Sequence, residues 1–341
     1  MAPILLLLAS LWIAVGSASV ASSKNASSDD SHRGQPNFIF IMTDDQDLLL
    51  NSLDYQPLVK RHFIDKGTMF QKHFCTVSIC CPSRVSLLTG RAAHNTNVTD
   101  VAAPYGGYSK FIAEGLNDRY LPVWLQEAGY NTYFTGKLMN GHATDSYNKP
   151  YAAGWTRSEF LLDPYTYLYN NASTVLDNGE YTFNPGRYST DLIAERSVEF
   201  LDDAVAGGRP FFLIVNPMAP HAETIFHAET VFQRGGVQHN PPVPAERHEH
   251  LFADAQVPRT PSFNPIVIRL GDEIHRRRLR ALQAVDELVE SIVLRLEAHP
   301  DILANTYLFY PSDNGFHIGQ HRLPPGKTCN IEEDMTSTCP L

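Results

Sequence analysis

Carboxylate and amide side chains follow two short apolar runs of this sequence at equivalent positions. Asp44 and Asp45 come after one run, and Asp313 and Asn314 come after another. A lone Asp at a strand end is more often a turn former or a helix cap. The two pairs together supply three carboxylates and one amide oxygen, a set that hard cations such as Ca²⁺ prefer, whereas His and thiolate ligands favour zinc. The pairs therefore predict a Ca²⁺ site.

Basic side chains at similar places could act on an anionic substrate. His221 follows a third apolar run and could donate a proton to a leaving group. Lys137 and Lys327 could bind the oxygens of an oxyanion. Each of these residues alone would more commonly face solvent, so their interpretation depends on the elements that position them.

The elements that must position these residues alternate between strand and helix patterns. Continuous apolar runs predict strands buried on both faces, as in a parallel sheet. Helical patterns lie between them, and the alternation predicts an α/β fold with a large, mostly parallel sheet flanked by helices. Ligands of such sheets bind beyond the carboxyl ends of the strands, where the candidate residues fall. The apolar runs are 37–42, 131–135, 211–215 and 306–310, and the helical patterns are 120–128, 188–204 and 274–298.

Composition excludes some classes of partner. The formal net charge of −10 argues against a nucleic-acid-binding surface. The run Arg276-Arg277-Arg278 is accordingly interpreted as the solvated first turn of the long helix. Two irregular stretches, 143–187 and 217–265, are expected to be loops that line the mouth of a site.

A cysteine motif lies outside these strand ends. Cys80-Cys81-Pro82-Ser83-Arg84 is followed by Leu88-Thr89-Gly90-Arg91. Taken alone, the motif is compatible with an ordinary turn in which Pro82 fixes φ and the cysteines form disulfides. The chain has five cysteines, an odd number, and their pairing is open.

Several blocks together resemble the formylglycine-dependent (type I) sulfatases of the alkaline-phosphatase superfamily, and are similar to secreted arylsulfatases and N-acetylglucosamine-6-sulfatases. The resemblance implies an alkaline-phosphatase-like catalytic domain over 36–334. The cysteine motif and the last block are the most specific. The blocks are T-D-D-Q-D (43–47), C-C-P-S-R-V-S-L-L-T-G-R (80–91), T-G-K (135–137), A-P-H (219–221) and S-D-N-G-F-H-I-G-Q-H-R-L-P-P-G-K (312–327).

The resemblance implies a role for each matching residue. Cys80 would be converted to Cα-formylglycine by a formylglycine-generating enzyme, which leaves four cysteines. Arg84 would stabilise the aldehyde hydrate, and His221 would act as general acid or sulfate ligand. His142 would take the role of a histidine that many sulfatases place where this chain has Met139. Lys137 and Lys327 would bind sulfate oxygens, and Asp44, Asp45, Asp313, Asn314 and modified Cys80 would hold Ca²⁺.

The implied reaction is hydrolysis of a sulfate ester, either an aryl sulfate or a sulfated sugar. One hydroxyl of the formylglycine hydrate attacks sulfur, and loss of a proton from the second hydroxyl re-forms the aldehyde and expels sulfate. The alternatives are a phosphomonoesterase or phosphonate hydrolase of the same superfamily, and an inactive, truncated secreted glycoprotein.

The chain ends suggest the cellular route and the extent of the domain. Residues 1–21 read as a signal peptide and 22–35 as a disordered mature N-terminus, which predicts secretion without a membrane span. The sequons at Asn25, Asn97 and Asn171 are then candidate glycosylation sites. Residues 335–341 depart from the family pattern, so the domain is expected to be truncated, poorly stable and weakly active.

Overall fold

The computed structural model describes residues 34–227, 236–263, 266 and 268–341. The predicted signal peptide, Asn25 and most of the predicted disordered segment lie outside the described residues. None of the described helices is long and apolar enough to cross a membrane.

The described residues form a mixed seven-stranded sheet and a separate hairpin. The sheet order is β5-β4-β3-β2-β6-β1-β9, in which β3, β2, β6, β1 and β9 run parallel and β4 and β5 pair antiparallel. This confirms the α/β class and the mostly parallel sheet. The strands are β1 Asn37–Ile41, β2 Asn131–Gly136, β3 Arg157–Leu161, β4 Ser173–Leu176, β5 Tyr181–Phe183, β6 Phe211–Asn216 and β9 Thr306–Phe309, and the hairpin is β7 Glu223–Phe226 with β8 Val237–Asn240.

Helices cover both faces of the sheet. The long α6 and α7 pack with inward-facing residues such as Ile39 and Leu213 in one core, while α2 and α4 pack with Phe134 and Ile214 in the other. Neighbouring residues along β6 thus enter opposite cores, which explains its continuous apolar sequence. The helices are α1 Pro57–Val59, α2 Cys80–Thr89, α3 Ala93–Thr96, α4 Gly107–Ala113, α5 Leu121–Glu127, α6 Ser189–Ala206, α7 Ile268–Glu297, α8 Pro300–Leu303 and α9 Glu332–Met335.

Two predictions about the sheet were wrong in part. β9 is an edge strand rather than one buried on both faces, and Tyr307 is 52% exposed. Its apolar residues stack on β1 instead, with the Phe309 ring 5.8 Å from that of Phe40. The stretches 143–187 and 217–265 were both expected to be loops, but the second contains the β7–β8 hairpin and the first contains β3, β4 and β5. These strands are short, β5 is exposed throughout, and the buried β4 begins with the polar Ser173 and Thr174, so their sequence carries no continuous apolar run.

The interpretation of the triple arginine was also wrong. α7 begins at Ile268, so Arg278 lies in its third turn, and Arg278 is buried. It falls four residues before Leu282, which belongs to the apolar stripe of the helix and is fully buried. Helical spacing therefore places Arg278 on the buried face.

The last residues of the chain pack against the sheet. The Cys75 amide donates to the Met335 carbonyl at 2.9 Å, and the Thr68 amide donates to the Leu341 carbonyl at 2.8 Å. The Tyr310 amide donates to the Pro340 carbonyl at 3.0 Å. Residues 335–341 thus pair with the segment before α2 on one side and with the end of β9 on the other.

Candidate active site

The carboxyl ends of the parallel strands bring most of the predicted site residues together. β1 leads into Asp44 and Asp45, β2 into Lys137, and β9 into Asp313 and Asn314. His221 follows β6, and α2 supplies Cys80 and Arg84 from the same edge. Lys327 arrives on a later loop. Asp44, Asp45, Cys80 and His221 alone place four potential ligand atoms within 4.8 Å of one another.

Cys80 lies in the first turn of α2 at the centre of this cluster. It is 1% exposed, and its thiol donates to Asp44 Oδ1 at 3.2 Å. The Lys327 ammonium donates to Cys80 Sγ at 2.7 Å. Burial, followed by the neighbouring Asp44, raises the pKa of Cys80 far above its usual value, so the group is a neutral thiol. The positive end of the α2 dipole also faces this position, which favours negative charge on a group bound there.

The carboxylates are connected by a network between β1 and β9. The Asp45 amide donates to Asp313 Oδ1 at 3.0 Å, and Asn314 Nδ2 donates to Asp45 Oδ1 at 2.9 Å. The Ser312 hydroxyl accepts a bond from the Gln46 amide at 2.8 Å. These bonds fix the two strand ends relative to each other although they are far apart in sequence.

Arg84 joins the segments that follow β2 and β9 from within α2. Its Nε donates to Asp313 Oδ2 at 2.9 Å, and its Nη1 donates to the Lys137 carbonyl at 2.7 Å. Gly136 allows the preceding backbone to approach β6: its φ is 104°, and a Cβ there would lie 2.1 Å from the Asn216 carbonyl oxygen. Arg84 and Gly136 therefore fix the position from which Lys137 enters the cluster.

Three cations face three carboxylates at the site. Lys137 forms an ion pair with Asp44, Lys327 with Asp45, and Arg84 with Asp313. Burial alone would raise the pKa values of Asp44 and Asp45, but Lys137 beside Asp44 and Lys327 beside Asp45 hold both below their usual values. Burial alone would lower the lysine pKa values, but Asp44 and Asp45 raise them. Asp44, Asp45, Lys137 and Lys327 are therefore charged at neutral pH.

His221 faces the cluster with a neutral ring. Its Nδ1 lies 2.7 Å from the Ala222 carbonyl, which assigns the ring proton to Nδ1, and its Nε2 lies 3.7 Å from Asp45 Oδ2. Burial lowers its pKa although Asp45 and Asp44 act in the opposite direction. The free Nε2 can therefore accept or relay a proton at the cluster.

Sequence reasoning missed Tyr167 and misassigned Arg278. The Lys137 ammonium lies 4.7 Å from the Tyr167 ring centroid, and the His221 ring centroid lies 4.5 Å from it. Asn140 Nδ2 donates to the Tyr167 hydroxyl at 2.7 Å. Tyr167 lies in an irregular stretch whose sequence has no signal for this role. Arg278 donates to the Asp45 carbonyl at 2.5 Å, and the helical stripe of α7 could have indicated its burial.

His142 is not brought to the cluster. Its buried ring packs between the rings of Tyr108 and Phe160, with centroid distances of 4.4 and 5.0 Å. Burial lowers its pKa to about 3, so the ring is neutral. None of its contacts in the described part of the chain reaches a carboxylate or lysine of the site. The suggested substrate-binding role of His142 therefore has no support from its position.

The two sequons within the described residues are accessible. Asn97 and Asn171 are both exposed, and Asn97 Nδ2 donates to Glu114 at 2.7 Å. Glycosylation at these positions stays a prediction.

Comparisons with known proteins agree with this architecture. The sulfatase family model matches residues 36–338, so the chain belongs to the sulfatase family. An arylsulfatase of Volvox carteri is 40% identical over 88% of this chain and 50% of its own length. The extracellular sulfatase SULF-1 homolog of Drosophila melanogaster is 30% identical over 90% of this chain and 27% of its own length. The chain thus spans half or less of the length of these relatives.

A solved structure shares the fold. BT4656, described in complex with its substrate D-glucosamine-2-N,6-O-disulfate, aligns with a TM-score of 0.69 and 20% identity over 90% of this chain and 70% of its own length. At this identity the likeness establishes the fold alone.

Proposed function

We propose that this chain hydrolyses sulfate esters through Cα-formylglycine made from Cys80, with a bound Ca²⁺. The observation that carries the proposal is the position of Cys80, which is buried at the start of α2 with Asp44 on one side and Lys327 on the other. A thiol held neutral in this way is a poor nucleophile. Its hydrated aldehyde would supply one hydroxyl to attack sulfur, and a second whose loss of a proton would re-form the aldehyde and expel sulfate from the first by C–O cleavage.

The donor set fits Ca²⁺ better than zinc. Asp44, Asp45, Asp313 and Asn314 offer oxygens from three buried carboxylates and one buried amide. The Asn314 amide oxygen lies 3.4 Å from the Lys327 ammonium, so it already faces the cluster. These four residues and residue 80 would hold the ion, whose charge would stabilise the developing sulfuryl oxyanion.

The lysines and His221 would act on the substrate. Lys137 and Lys327 are paired with the carboxylates proposed to hold the ion, and would turn from them to the sulfuryl oxygens. His221 would accept or return a proton at Nε2 near the leaving oxygen. Arg84 would keep Asp313 and the Lys137 backbone in place.

The family match favours sulfate esters over phosphate or phosphonate esters. The substrate class remains an aryl sulfate or a sulfated sugar. The extracellular relative supports the proposal that this chain is secreted. A formylglycine-generating enzyme would be its partner during biosynthesis.

The test combines mass analysis with activity. The protein is produced in a secretory host, and the peptide that contains residue 80 is analysed for loss of thiol and lowered residue mass. Hydrolysis of p-nitrophenyl sulfate is then compared with that of p-nitrophenyl phosphate, with Ca²⁺ present and after chelation. We expect modified residue 80, preference for the sulfate ester, and loss of activity on chelation.

Matched variants separate chemistry from folding. Cys80→Ala and Lys327→Ala should abolish turnover, while Lys72→Ala, at an exposed lysine, should retain it. An unmodified thiol in a protein that still hydrolyses the sulfate ester would refute the formylglycine route. A modified residue 80 with preference for the phosphate ester would refute the assigned substrate.

A further inference from the structure

A second group of potential metal ligands lies outside the proposed active site. His317, Cys329 and Asp334 place an imidazole nitrogen, a thiol sulfur and a carboxylate oxygen within 4.8 Å of one another. His317 and Asp334 are buried, whereas Cys329 is exposed and leaves a path for an ion. None of these residues has a role in the proposed reaction.

The donor types differ from those of the first cluster. Three carboxylates and an amide favour a hard cation, but nitrogen, sulfur and a single carboxylate oxygen favour Zn²⁺ or a similar ion. Three protein ligands would leave the fourth tetrahedral position to water.

Hydrogen bonds already orient the three ligands. His317 Nδ1 lies 2.6 Å from Asp334 Oδ1, and the Cys329 amide donates to Asp334 Oδ2 at 2.8 Å. The His317 and Gly326 backbones exchange two hydrogen bonds of 2.9 and 3.0 Å. Asp334 thus contacts both other members of the group through different oxygens, which holds the three side chains together in the absence of an ion.

The adjustment required for an ion is small. Nitrogen and oxygen ligands at about 2.1 Å from a tetrahedral Zn²⁺ lie roughly 3.4 Å apart, so the Nδ1–Oδ1 pair must open by about 0.8 Å. The thiol lies within 4.8 Å of the other two ligand atoms and would have to come to about 3.6 Å from them, which the exposure of Cys329 permits. Thr328 and Asn330, on either side of Cys329, have φ values of 79° and 52°. Residues other than glycine rarely adopt this conformation, which here orients the segment containing the thiol.

We propose that His317, Cys329 and Asp334 form a second metal site, specific for a borderline cation such as Zn²⁺. The ion replaces the His317 Nδ1 proton, which moves to Nε2, and the thiol proton of Cys329 is released to solvent. No oxidant or reductant takes part.

A metal ion at this second site would restrict the loop that carries Lys327. The residue before Lys327 is paired with His317, and Cys329 lies two residues after it. An ion held by both sides of this loop limits the movement of the Lys327 backbone. This consequence for catalysis rests on the proposed function, whereas metal binding itself does not.

The experiment measures metal binding directly. Co²⁺ is titrated into the full Cys80→Ala chain with Ca²⁺ in excess, so that the first cluster has no thiol and its oxygens are occupied. We expect a thiolate-to-cobalt charge-transfer absorption that saturates at one equivalent and is abolished by excess Zn²⁺. Adding Cys329→Ser should remove the band, and His317→Gln should weaken binding at least tenfold.

His321→Ala is the matched control, since this exposed histidine lies on the same loop and pairs with Glu333 rather than Asp334. It should leave the band unchanged. Far-UV circular dichroism verifies that each variant is folded. The proposal is overturned by a folded Cys80→Ala chain without the band, or by a band that survives Cys329→Ser. Neither result bears on sulfate-ester hydrolysis.

Discussion

Replacing Arg278 by Met should destabilise the fold by about 4 kcal/mol. The guanidinium is 1% exposed and donates to the Asp45 carbonyl at 2.5 Å and to Asp47 Oδ1 at 3.1 Å. It also lies 4.1 Å from the Phe316 ring centroid. Met fills most of the volume but leaves the Asp47 carboxylate buried without its cation. Breaking a buried pair in this way costs about 3–5 kcal/mol, and the lost cation–π contact adds about 1 kcal/mol. Better packing of the methionine offsets part of this sum.

The assay is urea denaturation followed by tryptophan fluorescence, with the free energy of unfolding compared between variants. Arg277→Met is the matched control because Arg277 adjoins Arg278 on α7 and forms a half-exposed pair with Glu273. It should change the free energy of unfolding by no more than about 0.5 kcal/mol. The double variant with Asp47→Asn should recover about 1–2 kcal/mol relative to the sum of the single changes. Equal stability of Arg278→Met and Arg277→Met would refute the argument that the buried arginine connects α7 to the site.

Three further predictions concern the core, pH and the site. Leu282→Ala should cost about 2–5 kcal/mol of unfolding free energy in urea, because the side chain is fully buried between α7 and the sheet. Burial raises the pKa of Asp286 from 3.8 to about 6. Folded chains therefore hold its proton more tightly than unfolded chains. The protonated group stabilises the fold below pH 4. This contribution to the free energy of unfolding, up to about 3 kcal/mol, should be lost as pH rises through 6. Tyr167→Leu should lower kcat/KM for p-nitrophenyl sulfate about tenfold, because Lys137 loses the ring against which it lies.

Each of these has a control. Leu294→Ala, at an exposed position of α7, should cost less than about 0.5 kcal/mol. Asp286→Asn should flatten the pH dependence of stability, whereas Asp301→Asn, at an exposed carboxyl group, should not. Tyr167→Phe keeps the ring and should retain most activity. Equal losses in Tyr167→Phe and Tyr167→Leu would assign the effect to the hydroxyl and its bond to Asn140.

The sequence predicted the parts of the fold that depend on local pattern. Burial requires apolar side chains, so it produces the apolar runs of the four strands and the apolar stripe of α7. In β6 every position is buried, and the run is accordingly continuous. The strand β5 escaped prediction because all its residues are exposed, and β4 did so because half of its four residues, Ser173 and Thr174, are polar although they are buried. Pairing across the sheet, rather than composition, determines that they are strands.

The candidate site was predictable where charged residues follow buried strands. Burying the charge of Asp44, Lys137 or Asp313 without a partner would cost free energy. A charged residue at such a position therefore indicates that a partner lies nearby. Tyr167 gives no such indication, because an aromatic residue in a loop is common and its contact with Lys137 depends on tertiary packing. The role suggested for His142 by the resemblance stays a prediction, and the packing of its ring against Tyr108 and Phe160 could not be read from its position in the sequence.

Cys80 is synthesised well before the residues that enclose it in the folded chain. Lys327 contacts Cys80 across 247 residues, and Asp313 joins Arg84 across 229. At a synthesis rate of about 5–20 residues per second, the cysteine segment emerges roughly 10–50 seconds before Lys327 is made. The folded cluster cannot enclose Cys80 during that interval, because Lys327 has not yet been made and, for most of the interval, neither has Asp313. A modifying enzyme that requires an extended peptide would therefore find its substrate on the growing chain, and closure of the sheet would end its access.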